Sequence, residues 1–228
     1  MGNLVNLTTI WMTGNKFSGI IPDDISSLKK LQRLYLHDNR LSGRLPITLG
    51  NLTFLNELYL GSNKLQGTIP SSIENCKNLL VLDLSQNNLS GIIPKKLFAI
   101  SMLSIGFYLD QNFFEGTLPF EVGNLVHLRE LNLSENKFSG KIPSSLASCT
   151  SLEYLYLEGN LFQGEIPTSL SSSRGIQVMD LSQNNFSSQI TNFLEKLSLK
   201  NLNLSFNDFQ GEVPTKGVFA KRNITHWK

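Results

Sequence analysis

Residues that carry chemistry are scarce in this sequence. Of 228 residues, two are cysteine and three histidine: Cys76, Cys149, His37, His127 and His226. No Cys/His group has the short spacing of a metal site and no glycine-rich phosphate loop occurs, so neither a metal nor a cofactor is expected. A serine–histidine–acid site would have to form around His37, whose nearby serines sit at positions explained otherwise below, so no catalytic residue is assigned. No run of about 18 apolar residues is present, which argues against a membrane-spanning helix and direct membrane contact. An excess of one charge is missing too. Twenty basic and 18 acidic residues leave a net +2, too little to argue for nucleic acid as a partner.

Proline is also sparse, and all eight fall in one column: Pro22, Pro46, Pro70, Pro94, Pro119, Pro143, Pro167 and Pro214, with Thr191 in a ninth slot. Seven residues ahead runs a column of asparagines, Asn15, Asn39, Asn63, Asn87, Asn112, Asn136, Asn160, Asn184 and Asn207. Subtracting neighbours gives steps of 24, 24, 24, 25, 24, 24, 24 and 23 residues. Such a period predicts an α/β solenoid of about nine 24-residue repeats, not a domain packed around one centre.

Aligned on asparagine, the unit reads L-x-x-L-x-L-x-x-N-x-L/F-S/Q-G-x-I/L-P-x-x-L. The Leu-x-Leu step has period two and predicts a short strand with its leucines turned inward. Stacked copies make a parallel sheet on the concave face. The asparagine amide is placed to bond turn groups that burial would leave unpaired. A glycine column marks a backbone site hostile to a side chain, and each following proline keeps its predecessor extended. A column from Phe17 and Leu41 to Phe186 and Phe209 is expected to fill the interior, and leucine-rich stretches such as Ser144–Leu146 to form short helical turns on the convex side. The extra residue in the fifth repeat, within Leu103–Leu109, predicts a bulge entering the sheet. Ser188 for glycine and Thr191 for proline predict an irregular second strand in the eighth.

The unit LYLHDNRLSGRLPITLGNL resembles the plant-specific class of leucine-rich repeat, and the match runs from about Gly2 to Pro214. The closing run from Gly211 to Ala220 looks like the end of the array in the receptor kinase subfamily that includes the sensors of bacterial flagellin and EF-Tu peptides. The resemblance implies part of the extracellular domain of a plant receptor-like serine/threonine kinase, at the outer face of the plasma membrane. Its implied partners are a peptide or protein ligand on the concave face and a co-receptor, with a role in signalling and innate immunity. The alternatives are a secreted enzyme inhibitor of the polygalacturonase-inhibitor type, built on the same repeat, and a truncated gene copy without function.

The expected domain layout is an array over residues 1–214, uncapped at both ends, and a tail over 215–228. Met1 to Lys16 lack the apolar run of a secretory signal. Gly2-Asn3-Leu4 instead matches the inter-repeat joints Gly50-Asn51-Leu52 and Gly123-Asn124-Leu125, so the chain reads as a receptor fragment opening inside a repeat.

Exposed strand positions vary from repeat to repeat because packing does not set them. The central column reads Trp11, Tyr35, Tyr59, Asp83, Tyr108, Asn132, Tyr156, Asp180 and Asn203. Rows of large exposed rings favour binding. One candidate ligand patch is therefore Trp11, Arg33, Tyr35, His37, Asp38, Glu57 and Tyr59, and a second is Tyr154, Tyr156 and Glu158 with Glu153, near Tyr108. Tyrosine is also an ordinary strand former, the plainer explanation of both. Sequons at Asn6, Asn51, Asn88, Asn132, Asn185, Asn203 and Asn223 are candidate glycosylation sites, although the template itself writes Asn-Leu-Ser. The cysteines stand three repeats apart, roughly 14 Å at about 4.8 Å per strand, too far for a disulfide and expected as buried free thiols.

Overall fold

The computed structural model describes Leu4 and residues 6–220; Asn223 and His226 lie outside the described residues. Each repeat supplies a three-residue strand from its Leu-x-Leu step. Thr9–Trp11, Arg33–Tyr35, Glu57–Tyr59, Val81–Asp83, Gly106–Tyr108, Glu130–Asn132, Tyr154–Tyr156, Val178–Asp180 and Asn201–Asn203 join in chain order into a nine-stranded sheet among the described residues. All neighbours pair in parallel with the repeats in register, Tyr35 opposite Trp11 on one side and Tyr59 on the other. The inward leucines, Leu34, Leu58, Leu82, Leu131 and Leu155, are fully or almost fully buried. This is the leucine-rich repeat solenoid that the period predicts.

The segment around each glycine forms a second parallel sheet, from Ser18–Gly19 to Asp208–Gln210. Gly43 shows why the column is glycine. Its φ is +78°, and a Cβ there would also lie 2.7 Å from Ile20 Cγ2 of the preceding repeat. The chain then passes through proline in extended geometry, as at Pro46 with φ −64° and ψ 132°, into a five-residue 3-10 turn, here Ile47–Asn51. Leu49 N–H to Pro46 O at 3.1 Å and Leu52 N–H to Leu49 O at 3.0 Å close it. These are the helical turns the leucine pattern predicts, each too short to become an α-helix. Thr215 and Lys216 donate their N–H groups to Glu195 Oε1 at 3.0 and 2.9 Å, and Gly217–Ala220 form a further turn with Val218 buried.

Between the sheets lie two ladders. From Asn39 onward, each asparagine amide nitrogen donates to two carbonyls of its own turn and one of the previous repeat, while its oxygen accepts an N–H from that previous repeat; among the described residues Asn15 bonds only its own turn. Asn160 Nδ2 reaches Leu157 O, Glu158 O and Leu133 O at 3.1, 3.2 and 2.9 Å, and Phe138 N–H reaches Asn160 Oδ1 at 2.9 Å. Beside it Phe114, Phe138, Phe162, Phe186 and Phe209 stack with ring centroids 6.2–6.3 Å apart and planes within 18° of parallel. Phe17, expected in this interior column, is instead half exposed, since among the described residues it is flanked from one side only.

The cysteines are buried and free. Each caps a 3-10 turn in a slot that Leu52 or Leu125 fills elsewhere, and burial pushes their thiols up to about 11 for Cys76 and about 12 for Cys149.

The two irregular repeats behave differently from each other. In the fifth, Ser104 and Ile105 both donate to Leu80 O, at 3.1 and 2.9 Å, before Gly106 takes register opposite Val81. The extra residue is absorbed at the strand's entry, as a bulge would do. In the eighth, the expected irregular second strand is not found. Asn185–Gln189 pairs with both neighbouring strands, because Ser188 adopts the glycine conformation at φ +76°. Thr191 takes proline-like angles of −79° and 137°. Its buried hydroxyl finds no partner there.

Candidate functional site on the open strand face

One side of the first sheet faces the core; the other is open, and the varying columns lie on it. In the first patch the rings touch. Trp11 and Tyr35 centroids are 4.6 Å apart, Tyr35 and Tyr59 5.2 Å, and His37 lies 5.7 Å from Tyr59. The Trp11 indole is 73% exposed. Arg33 Nε pairs with Glu57 Oε1 at 3.3 Å, and the other Glu57 oxygen accepts from the Tyr35 hydroxyl. Burial, then the bond to Glu57, pushes Tyr35 up to about 12. Burial and the Glu57 charge raise Tyr59 too. Both phenols are therefore neutral hydrogen-bonding groups at any physiological pH. Asp38 is exposed at φ +56° in the turn just past the strand. Trp11, Arg33, Tyr35, His37, Glu57 and Tyr59 thus form one continuous surface with Asp38 at its margin.

The second patch is looser. Tyr156 has Asn132 and Asp180 as its ladder neighbours, not rings. Tyr154 carries the Arg129 guanidinium 5.7 Å from its ring centre, and Arg129 pairs with Glu153 at 3.1 Å. Burial raises the Glu158 carboxyl, and Glu158 Oε2 has no hydrogen-bond partner. Tyr108 sits two repeats away, its hydroxyl 3.1 Å from Glu130 Oε2. Its ring lies over Gly106, where a Cβ would come within 2.3 Å of it. Tyr108, Ser104, Ile105, Arg129, Glu130 and Tyr154 line a shallow cavity of about 380 Å³ between these repeats.

The remaining central positions have a structural task. Asp83, Asn132, Asp180 and Asn203 each accept the N–H and the hydroxyl of the serine two residues on, with hydroxyl distances of 2.6–2.7 Å. These side chains are half-buried turn formers. Two sequons, at Asn132 and Asn203, coincide with this motif, and Asn203 Nδ2 also bonds Asp180 at 2.9 Å. Asn6, Asn51, Asn88 and Asn185 are exposed.

Sequence reasoning missed the charge between the two patches. Asp110 is only 9% exposed, yet no other residue's polar group bonds its carboxylate among the described residues. Burial pushes it up to about 6, with repulsion from Asp83 and Glu130 in the same direction. The signal was present, since Asp110 and Glu130 stand in the same columns as His37 and Glu57. Among the described residues no cluster of His, Cys, Asp or Glu could hold a metal ion, and no helix is long and apolar enough to cross a membrane.

Leucine-rich repeat family models match residues 6–28, 30–52, 53–105, 107–162 and 198–216. No curated protein matches the sequence. Among solved structures, the chain is similar to the Arabidopsis receptor kinase HAESA, solved with the peptide hormone IDA and the co-receptor SERK1. Identity is 35% and the TM-score 0.91, over 96% of this chain and 36% of HAESA. It is also similar to the plant peptide hormone receptor RGFR1 in complex with RGF2, at 30% identity and TM-score 0.68, over 93% of this chain and 42% of that one. A plant ice-binding protein matches at 31% identity and TM-score 0.85, over 96% of this chain and 70% of its own. The chain therefore spans well under half of the receptors it resembles. It belongs to the leucine-rich repeat family, and its array is of the kind that forms plant receptor kinase ectodomains.

Proposed function

We propose that the chain is a recognition module, a segment of the extracellular domain of a plant receptor-like kinase, whose peptide or protein ligand lies along the concave strand face. The continuous surface of Trp11, Tyr35 and Tyr59 carries this reading. Three rings in successive repeats make tilted contacts, Trp11 with Tyr35 and Tyr35 with Tyr59, yet the outermost remains largely in water. Aromatic side chains grouped this way dominate binding energy when a partner covers them. The peptide hormones bound by HAESA and RGFR1 support a peptide as the ligand class, and SERK1 supports a co-receptor as a second partner. The place of action is then the outer side of the plasma membrane, in ligand perception and signalling, with immune sensing as the output. The likeness to an ice-binding protein carries less. A surface that templates a lattice must itself repeat, whereas one exposed column of the second sheet runs Arg40, Lys64, Asn88, Phe113, Lys137, Leu161.

The test is the double variant Tyr35→Ala/Tyr59→Ala, checked for folding by circular dichroism and thermal melting. Peptides selected from a random display library on the unaltered chain should bind the variant about 100-fold more weakly, the loss expected for two hot-spot rings. Unchanged affinity in a folded double variant would refute this placement of the ligand.

A further inference from the structure

The chain as a whole is slightly basic, at +2, but the open face is not. From the fourth repeat to the eighth it presents Asp83, Asp110, Glu130, Glu135, Glu158 and Asp180, none of them in an ion pair among the described residues. The base on this stretch is Arg129, and Glu153 already holds it. Two of these carboxylates also have fewer partners than their burial asks for. Asp110 is nine-tenths buried and bonded only to its own backbone, and Glu158, held by its own backbone and Ser134, keeps Oε2 buried and unbonded. Unpaired buried charge is costly, and a complementary charge brought by a ligand relieves it. Tyr108 and Tyr156 stand in the central column of the same two repeats, where their rings can take a cation against their faces.

Resting on the reading that this face takes a peptide, we propose that the ligand is cationic, an extended segment whose lysine or arginine side chains pair with Asp110 and Glu158. The spacing is set by the sheet. Asp110 and Glu158 belong to strands two apart, about 9.6 Å at about 4.8 Å per strand. A polyproline-type segment rises about 3.1 Å per residue with three residues per turn. Its positions i and i+3 therefore lie on one side and about 9.3 Å apart. Two basic residues three apart in the ligand reach both carboxylates; two adjacent ones do not.

The test selects binders to the full chain from a display library of random peptides at low salt and neutral pH. The expected result is enrichment of Lys or Arg at positions i and i+3 over the starting library. Binding of those peptides should fall about tenfold or more in Asp110→Ser/Glu158→Ser, the loss appropriate to charge-assisted hydrogen bonds, and weaken as salt rises. Serine is a safe replacement, because Ser85, Ser134, Ser182 and Ser205 fill the same column in other repeats. Binders without that enrichment, lost in Tyr35→Ala/Tyr59→Ala, would overturn the cationic ligand and leave the recognition reading standing. Basic binders that ignore the serine variant would also overturn it. No binder at all would overturn both.

Discussion

Asn160 and Tyr156 stand four residues apart in the same repeat and obey different rules. The asparagine is buried, and its counterparts Asn39, Asn87, Asn112 and Asn184 repeat the same bonds to own and preceding repeat. The tyrosine's column instead runs through tryptophan, tyrosine, aspartate and asparagine. The interior can repeat because each copy meets an identical copy, so one solution serves every joint. The open face meets no copy of itself. There neighbouring side chains set each other's state: rings touch at a tilt where rings are consecutive, and acids with no base beside them form no ion pair.

The sharpest way to break this comparison is to alter both members of one repeat. Asn160→Ala removes the donor to three carbonyls and the acceptor for Phe138 N–H. With each orphaned buried group costing about 1–3 kcal/mol and the amide shared among three acceptors, the loss should be about 3–4 kcal/mol. Tyr156→Ala, on the half-buried open face, should cost about 1 kcal/mol or less. Urea unfolding of both variants measures the contrast. Equal losses would mean that the strand face supports the array as much as the ladder does.

Repeat eight tests how strictly the interior insists on its own pattern. Ser188 holds φ +76° at a position that is glycine elsewhere, and an L-residue there costs about 1–2 kcal/mol. Ser188→Gly should therefore raise stability by roughly 1 kcal/mol, part of the gain being offset by the greater freedom of glycine in the unfolded chain. A destabilised variant would show that the serine side chain contributes something its backbone angle conceals.

That repeat also marks the limit of what can be read without coordinates. The columns of Leu34, Asn39 and Phe138 are legible because a period converts directly into contact between copies, and the strand, turn and ladder follow from it. The expectation of an irregular strand at Ser188 fails because register imposed by two neighbouring strands outweighs one residue's reluctance to adopt a left-handed angle. On the open face, the sequence shows which positions are free to vary and places Trp11, Tyr35 and Tyr59 side by side. It does not show that Asp83, Asn132, Asp180 and Asn203 are occupied in binding serines, or that Asp110 is buried with no bond to any other residue. Those depend on which side chains happen to face one another, and no period encodes that.

Asp110 gives the smallest effect and the most direct view of that isolation. Burial first, then the facing charges of Asp83 and Glu130, holds its carboxyl up at about 6, against about 3.9 in an unfolded chain. Between these values the folded protein binds more protons than the unfolded one, so this group's contribution to stability falls as pH rises from about 4 to about 6 and is level above that. The open face admits solvent and salt, which keeps the change to about 1 kcal/mol or less. Asp110→Ser removes the titrating group and keeps the fold's own alternative in its place. Unfolding free energies for both proteins between pH 4 and pH 7 should then diverge in the variant's favour, with the difference growing up to about pH 6. A constant difference would place the carboxyl in contact with water or a counter-charge, and the open face would then balance its charges as fully as the interior balances its hydrogen bonds.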